Sequence, residues 1–390
     1  MERHLWFVHS TLIVRYANAL LNKCGNIYSS RPQQTMVADV MGWDWLFLGM
    51  SYGPWWKRHR TMFQNHFHTN LSSVYQPRQI QETHMLLWNL LIKPDKFDYH
   101  VQRTASAIIL HITYSYTVAD KNDSYVTLAD AAMHPLSQVG IFGTYLVDYI
   151  PILKHVPSWM PGASFKCQAC AKGTAVSCVA SHELEKWTKS DQSTDEEEVI
   201  KNIIAIAYAG QSLFIVSTIE SFFLAMVLFP DVQKKAQDEI DCIVGGNQLP
   251  SFGDKLLLPY VSHIVLECLR AMFHDKHVYP EPFTFNPDCF KNQDTNKLAG
   301  INKLPHIAFG FVRRLCLGQW LAQDSIWIAV VSVLSVYNIS AATDDKGFPI
   351  VPSVKYTEGQ ISHPNPFSCQ IILRSEAATA LIKQTADVQD

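Results

Sequence analysis

One cysteine sits where a sulfur ligand would be useful. The stretch Phe309-Gly310-Phe311-Val312-Arg313-Arg314-Leu315-Cys316-Leu317-Gly318 runs directly into the helix-like segment Gln319 to Leu334. A thiol at the start of a helix is expected to have its pKa lowered by the helix dipole, and the resulting soft anion can ligate a haem iron while backbone N–H groups temper its charge. Arg314, two residues before Cys316, would offer a fixed fork to a haem propionate. Phe309 and Gly318 would cover the sulfur and let the helix backbone approach the porphyrin closely. Taken alone, the ordinary alternative is a buried free cysteine in a loop.

Two further patterns weigh against that alternative. Trp56-x-x-x-Arg60 lies in the aromatic and basic segment Pro54 to Phe67, and a spacing of one turn lets both side chains face an anionic planar ligand. Glu267-x-x-Arg270 lies at the end of the apolar-periodic run Leu258 to Leu269, where a spacing of three puts carboxylate and guanidinium on one helix face. Singly these are weak signals, because exposed ion pairs contribute less than about 1 kcal/mol and an isolated Trp or Arg is more often a core or snorkelling residue.

The order and separation of the three patterns resemble the cytochrome P-450 family of haem-thiolate monooxygenases. Met41-Gly42-Trp43-Asp44-Trp45, Tyr52-Gly53-Pro54, Asp148 to Gly162 and Val278-Tyr279-Pro280-Glu281-Pro282-Phe283 are similar to the fungal members that work in secondary metabolism. The resemblance runs from about Asn26 to Arg374. It implies a mainly α fold with a minor β portion, in one domain spanning residues 1–390. It implies haem held by the Cys316 thiolate, with Arg314, Arg60 and Trp56 as propionate partners and Glu267–Arg270 as a structural pair. The activity implied is insertion of one oxygen atom from dioxygen into an apolar small molecule, by a monomer that takes NADPH-derived electrons through a cytochrome reductase.

Several positions depart from the family pattern. In the long central helix the family carries small-Gly-x-Asp/Glu-Thr-Thr, an acid and alcohol that relay protons. This chain reads Ala209-Gly210-Gln211-Ser212-Leu213, so Gly210 is kept, Ser212 stands where the acid belongs, and poor coupling of oxygen reduction to product is expected. The match downstream resumes one residue late. After Arg270 the family has extended structure that lines the substrate pocket and holds a basic propionate partner, whereas Ala271-Met272-Phe273-His274-Asp275 follows here almost at once. Cys289 replaces the arginine that locks the Glu267–Arg270 pair, and Val312 replaces a loop glycine where positive φ would strain a β-branched residue. These departures keep a second reading open: a haem-less or catalytically impaired relative, or a defective gene model.

The bulk composition excludes other classes. The chain has 390 residues, 48% of them hydrophobic, and a net charge of −3, which supplies ample core and no nucleic-acid footprint. Nine scattered cysteines without a signal pattern fit a reducing compartment better than a disulfide framework. Met1 to Leu21 carries Arg3, His4, His9 and Arg15 and does not read as an anchor. Family members usually begin with a membrane-spanning helix and lie on the cytoplasmic face of the endoplasmic reticulum; this chain looks truncated at its start and is expected to be peripheral or soluble. The uncharged run Asn202 to Ile219, continued to Phe229 past Glu220, is long enough for a bilayer span and so admits a membrane-embedded transporter or receptor as a third reading. A helix crossing the interior of a large protein explains it better.

Periodicity predicts helices over Thr11 to Lys23, Pro54 to Phe67, Gln76 to Leu91, His100 to Tyr116, Val199 to Phe229 and Asp231 to Asp241. Ser29 to Trp45 reads as turn-rich, Ser190 to Glu198 as an acidic loop, and Gly347 to Gln360 with Pro366 to Leu373 as a small C-terminal sheet. Cys167, Cys170, Cys178 and His182 have a spacing that could hold zinc. They also fall near one face of a continuous helix, which favours buried cysteines.

Overall fold

The computed structural model describes residues 24–119, 123–127, 145–155, 194–270, 284–291, 308–310, 312–357 and 362–387. The expected helix Thr11 to Lys23, the possible zinc ligands and the segment Val278 to Phe283 lie outside them.

Helices dominate: α1 Pro54–His66, α2 Ser72–Ile92, α3 Phe97–Tyr114, α4 Thr194–Leu228, α5 Pro230–Ile243, α6 Pro259–Arg270 and α7 Gln319–Val336. Strands β1 Tyr337–Thr343, β2 Pro349–Ile350 and β3 Cys369–Leu373 follow, then α8 Glu376–Asp387. Proline opens α1, α5 and α6, where its fixed φ suits the first turn and its missing N–H removes no helical bond. The expected acidic loop is corrected in part. Thr194 to Glu198 are already helical, placing Asp195, Glu196 and Glu197 in the first turn of α4, where they complement the helix dipole.

α4 spans 35 residues, about 52 Å at 1.5 Å per residue, and threads two apolar clusters in succession. Val199 to Ala209 pack with Trp56 and Phe63 of α1, Ala107 to Ile112 of α3, and the turn-rich segment from Met36 to Phe47. Ile215 to Met226 pack with α2, α5, α6, most of α7 and the sheet. α7 makes the same transition in one residue: Leu321 belongs to the first cluster and Ala322 to the second. A seam between two cores therefore crosses α4 near Gly210 and α7 near its first turn. Both helices are long and apolar enough to cross a bilayer, but 73% and 78% of those stretches are buried inside the fold, as expected for interior helices.

The sheet has order β2-β1-β3, all antiparallel. The two flanking strands fall in the predicted segments, but the central strand β1 was not predicted, because its sequence continues the apolar run of α7. Gln233 of α5 fixes it, accepting the Ile339 N–H and donating to the Ile339 carbonyl, both at 2.8 Å. The helix α8 was also not anticipated.

Candidate haem-thiolate site

The cysteine loop is closed by its own backbone. The Cys316 amide donates to the Phe309 carbonyl at 2.7 Å, and between them Val312–Arg314 form one 3₁₀ turn. Gly310 takes φ +79°, and a Cβ there would stand 3.2 Å from the Arg314 carbonyl oxygen, so glycine is needed for both dihedral and space. This corrects the expectation of strain at Val312. The positive φ falls on Gly310, and Val312 sits in a right-handed turn that a β-branched residue can adopt.

Gly318 is the N-cap of α7 and supplies no side chain to its free amides. Its backbone lies beside the Cys316 sulfur, and a Cβ at Gly318 would stand 4.0 Å from that sulfur. The thiol pKa is raised, not lowered as expected from the helix dipole. Burial is the largest influence; the Gly318 hydrogen bond and the Arg60 charge pull the other way. Cys316 is nevertheless exposed to solvent. Both facts hold of a group at the floor of a hollow, surrounded by protein but reached by water. A cavity of about 210 Å³ is bounded by Arg60, Gln64, His68, Cys316 and Trp320 among others.

Of the two cations expected beside the sulfur, Arg60 is near enough to act on the Cys316 thiol, and Arg314 shares its aromatic neighbour. Trp56 is 3% exposed, and its ring lies under both Arg60, 5.5 Å from centroid to Cζ, and Arg314, at 4.4 Å. Arg314 is held by the carbonyls of Ser29 and Met50 at 2.8 and 2.7 Å, and its pKa is lowered to about 10 by burial and then by Arg31 and Arg60. Burial also lowers Arg60, and the nearby Cys316 opposes it. Among the described residues no carboxylate pairs with Arg31, Arg60 or Arg314. Converging, partly desolvated and unneutralised cations beside a thiol form a cradle that calls for an anion. The residues present fit a haem with its two carboxylates.

On α4, Gly210 is exposed although Ala209 beside it is 5% exposed, and a Cβ at Gly210 would meet nothing within 4 Å. The helix borders open space at that point. One turn on, Phe214 packs on Phe309 of the cysteine loop, centroids 5.1 Å apart. Ser212 lies in α4, with its side chain outside the described residues.

Glu267 is fully buried and accepts from the Asn286 amide at 2.9 Å and from the Cys289 thiol at 3.8 Å. The carboxylate thus acts on the segment after α6; the Arg270 side chain lies outside the described residues. Sequence reasoning missed Tyr52, which lies against the Trp56 ring and accepts from Arg313, Arg313 itself, and Asn286. The aromatic-basic composition around Tyr52 was the available signal.

Known proteins of one family resemble this chain over most of its length. The family model described as Cytochrome P450 matches residues 5–273 and 268–367, two pieces that overlap at 268–273, around Arg270. A cytochrome P-450 monooxygenase of Armillaria gallica is 38% identical over 423 positions, covering 94% of this chain and 82% of that protein. Another, from Postia placenta, is 33% identical over 94% of this chain and 81% of its own length. An alignment of 423 positions exceeds the 390 residues here, so the Armillaria protein carries internal residues without a counterpart. Among solved structures, a zebrafish cytochrome P-450 with abiraterone superposes with a TM-score of 0.68 at 16% identity, over 92% of this chain and 91% of that one.

Proposed function

This chain belongs to the cytochrome P-450 family and is a monooxygenase of that type, and from this premise we propose that it inserts one oxygen atom from dioxygen into an apolar organic substrate, using NADPH-derived electrons delivered by a reductase. The observation that carries the proposal is the solvent-reached Cys316 in a hollow also lined by Arg60, a cation that no carboxylate pairs with among the described residues.

In this reading the Cys316 sulfur would hold the haem iron, and Arg60 and Arg314, both set against the Trp56 ring, would take its carboxylates. When bound, haem supplies activation of dioxygen, favoured by electron density from a thiolate ligand. The protein's own work is to hold the sulfur and shape the space above it. Gly318 N–H tempers the sulfur charge, the Phe309 carbonyl fixes the cysteine backbone, and Gly210 leaves room on α4. Phe214 and Phe309 keep that side apolar. Ser212 can orient a water but cannot resupply protons as a carboxylic acid would.

A second reading, an impaired relative, is supported by the division of the family match into two pieces around Arg270 and by Cys289 against Glu267. Carbon monoxide difference spectroscopy on reduced protein separates the two. A haem-thiolate Soret band that disappears in Cys316→Ala supports the monooxygenase. No haem uptake after reconstitution supports the impaired relative, and a band that survives Cys316→Ala refutes the ligand assignment.

A further inference from the structure

We infer that Tyr52 and Arg313 form a positioning pair that preorganises the cation cradle, an inference that rests on the haem-thiolate reading above. Arg313 Nη1 donates to the Tyr52 hydroxyl at 2.6 Å, and its Cζ lies 5.1 Å from the Tyr52 ring centroid. The Tyr52 ring leans on Trp56, centroids 5.3 Å apart and planes at 47°. Trp56 in turn carries Arg314 over its ring at 4.4 Å, and Arg314 is the next residue after Arg313. The contacts therefore close a ring, Arg313 to Tyr52 to Trp56 to Arg314 and back through one peptide bond.

A closed ring of contacts resists motion of any single member, because each side chain is held from two directions. The resistance matters here because Arg60 and Arg314 repel one another over the shared indole and would separate if Trp56 could tilt. The Arg313 guanidinium has a shaped seat: a Cβ at Gly25 would stand 3.0 Å from its Nε, so the short helix Gly25–Tyr28 leaves just enough space for it. The pair then lowers the cost of organising the cradle when the anion arrives, which raises affinity without adding a contact to the ligand.

The test is a haem titration of apoprotein, with the midpoint potential of the loaded protein as second readout, on wild type, Tyr52→Phe, Arg313→Met, Arg313→Lys and the Tyr52→Phe/Arg313→Met double variant. Each of Tyr52→Phe and Arg313→Met should loosen haem about tenfold, the scale of one hydrogen bond to a charged group. The double variant should be little worse than either, since both remove the same link. Arg313→Lys should recover part of the loss, and the two single variants should shift the potential in the same direction while urea unfolding of the apoprotein changes little. Tyr52→Phe deletes a single oxygen and so decides the matter even if Arg313→Met does not fold. Wild-type affinity and potential in Tyr52→Phe, or fully additive losses in the double variant, overturn the pair while leaving the haem-thiolate reading intact. A wild type that takes up no haem overturns both, and is seen before any variant is made.

Discussion

The Asn202 side-chain amide donates to Nε2 of His59 across 3.1 Å, while Nδ1 of the same ring donates to the Trp55 carbonyl at 3.0 Å. Those partners require the neutral Nδ1–H tautomer and tie α1 to α4 one residue before Arg60. Burial lowers the His59 pKa from 6.5, with Glu198 opposing the shift and Arg58 adding to it.

This sets a pH dependence of stability. His84, His100, His111 and His263 are also lowered, each chiefly by burial. Below 6.5 the unfolded chain binds protons that the folded chain does not, so the stability from these neutral histidines is fully present above 6.5 and is lost as pH falls toward the lowered folded values. The urea midpoint should drop between about pH 7.5 and pH 5.5, and less steeply in His59→Gln. A midpoint that rises on acidification would contradict the neutral assignment.

Gly310→Ala should damage the site through the backbone. The new Cβ meets the Arg314 carbonyl at 3.2 Å at a φ of +79°, and forcing it costs about 1–2 kcal/mol. The unfolding midpoint should fall accordingly, and haem uptake should fall further because the Phe309–Cys316 hydrogen bond shares that turn.

Arg60→Gln separates stability from binding. In the apoprotein the charge is opposed by burial and by nearby Arg314, so its removal should leave the thermal midpoint unchanged or raise it. Haem retention should fall by about tenfold or more with the loss of a charge-assisted partner. A large fall in apoprotein stability would mean that Arg60 is mainly a packing residue.

Glu267→Ala should destabilise the fold by about 1–3 kcal/mol, because it leaves the Asn286 amide without the acceptor now at 2.9 Å. Glu267→Gln keeps an acceptor and should lose less. Equal losses in the two variants would place the effect in the carboxylate charge instead.

Much of this protein was legible in its sequence because the signals are local. The 3.6-residue period located α1 to α7 within a few residues, Pro54 opened the first of them, and the cysteine before Gln319 marked the candidate ligand. Spacing also chose Trp56 and Arg60, since one helical turn puts both on one face whatever else the chain does.

The charge state of that cysteine was not local. Its thiol is raised by the protein packed around it, against the helix-start argument. Strand β1 was hidden because what distinguishes it from the end of an apolar helix is distant in sequence: pairing with β3 and the Gln233 side chain, 106 residues from Ile339. Tyr52 and Arg313 lie 261 residues apart in sequence, and no periodicity relates such positions. Sequence alone therefore determined which residue types could hold a metal and an anion. Tertiary structure decided where they meet: at the seam of two apolar cores, where α4 and α7 pass from one to the other and packing leaves open space beside Gly210.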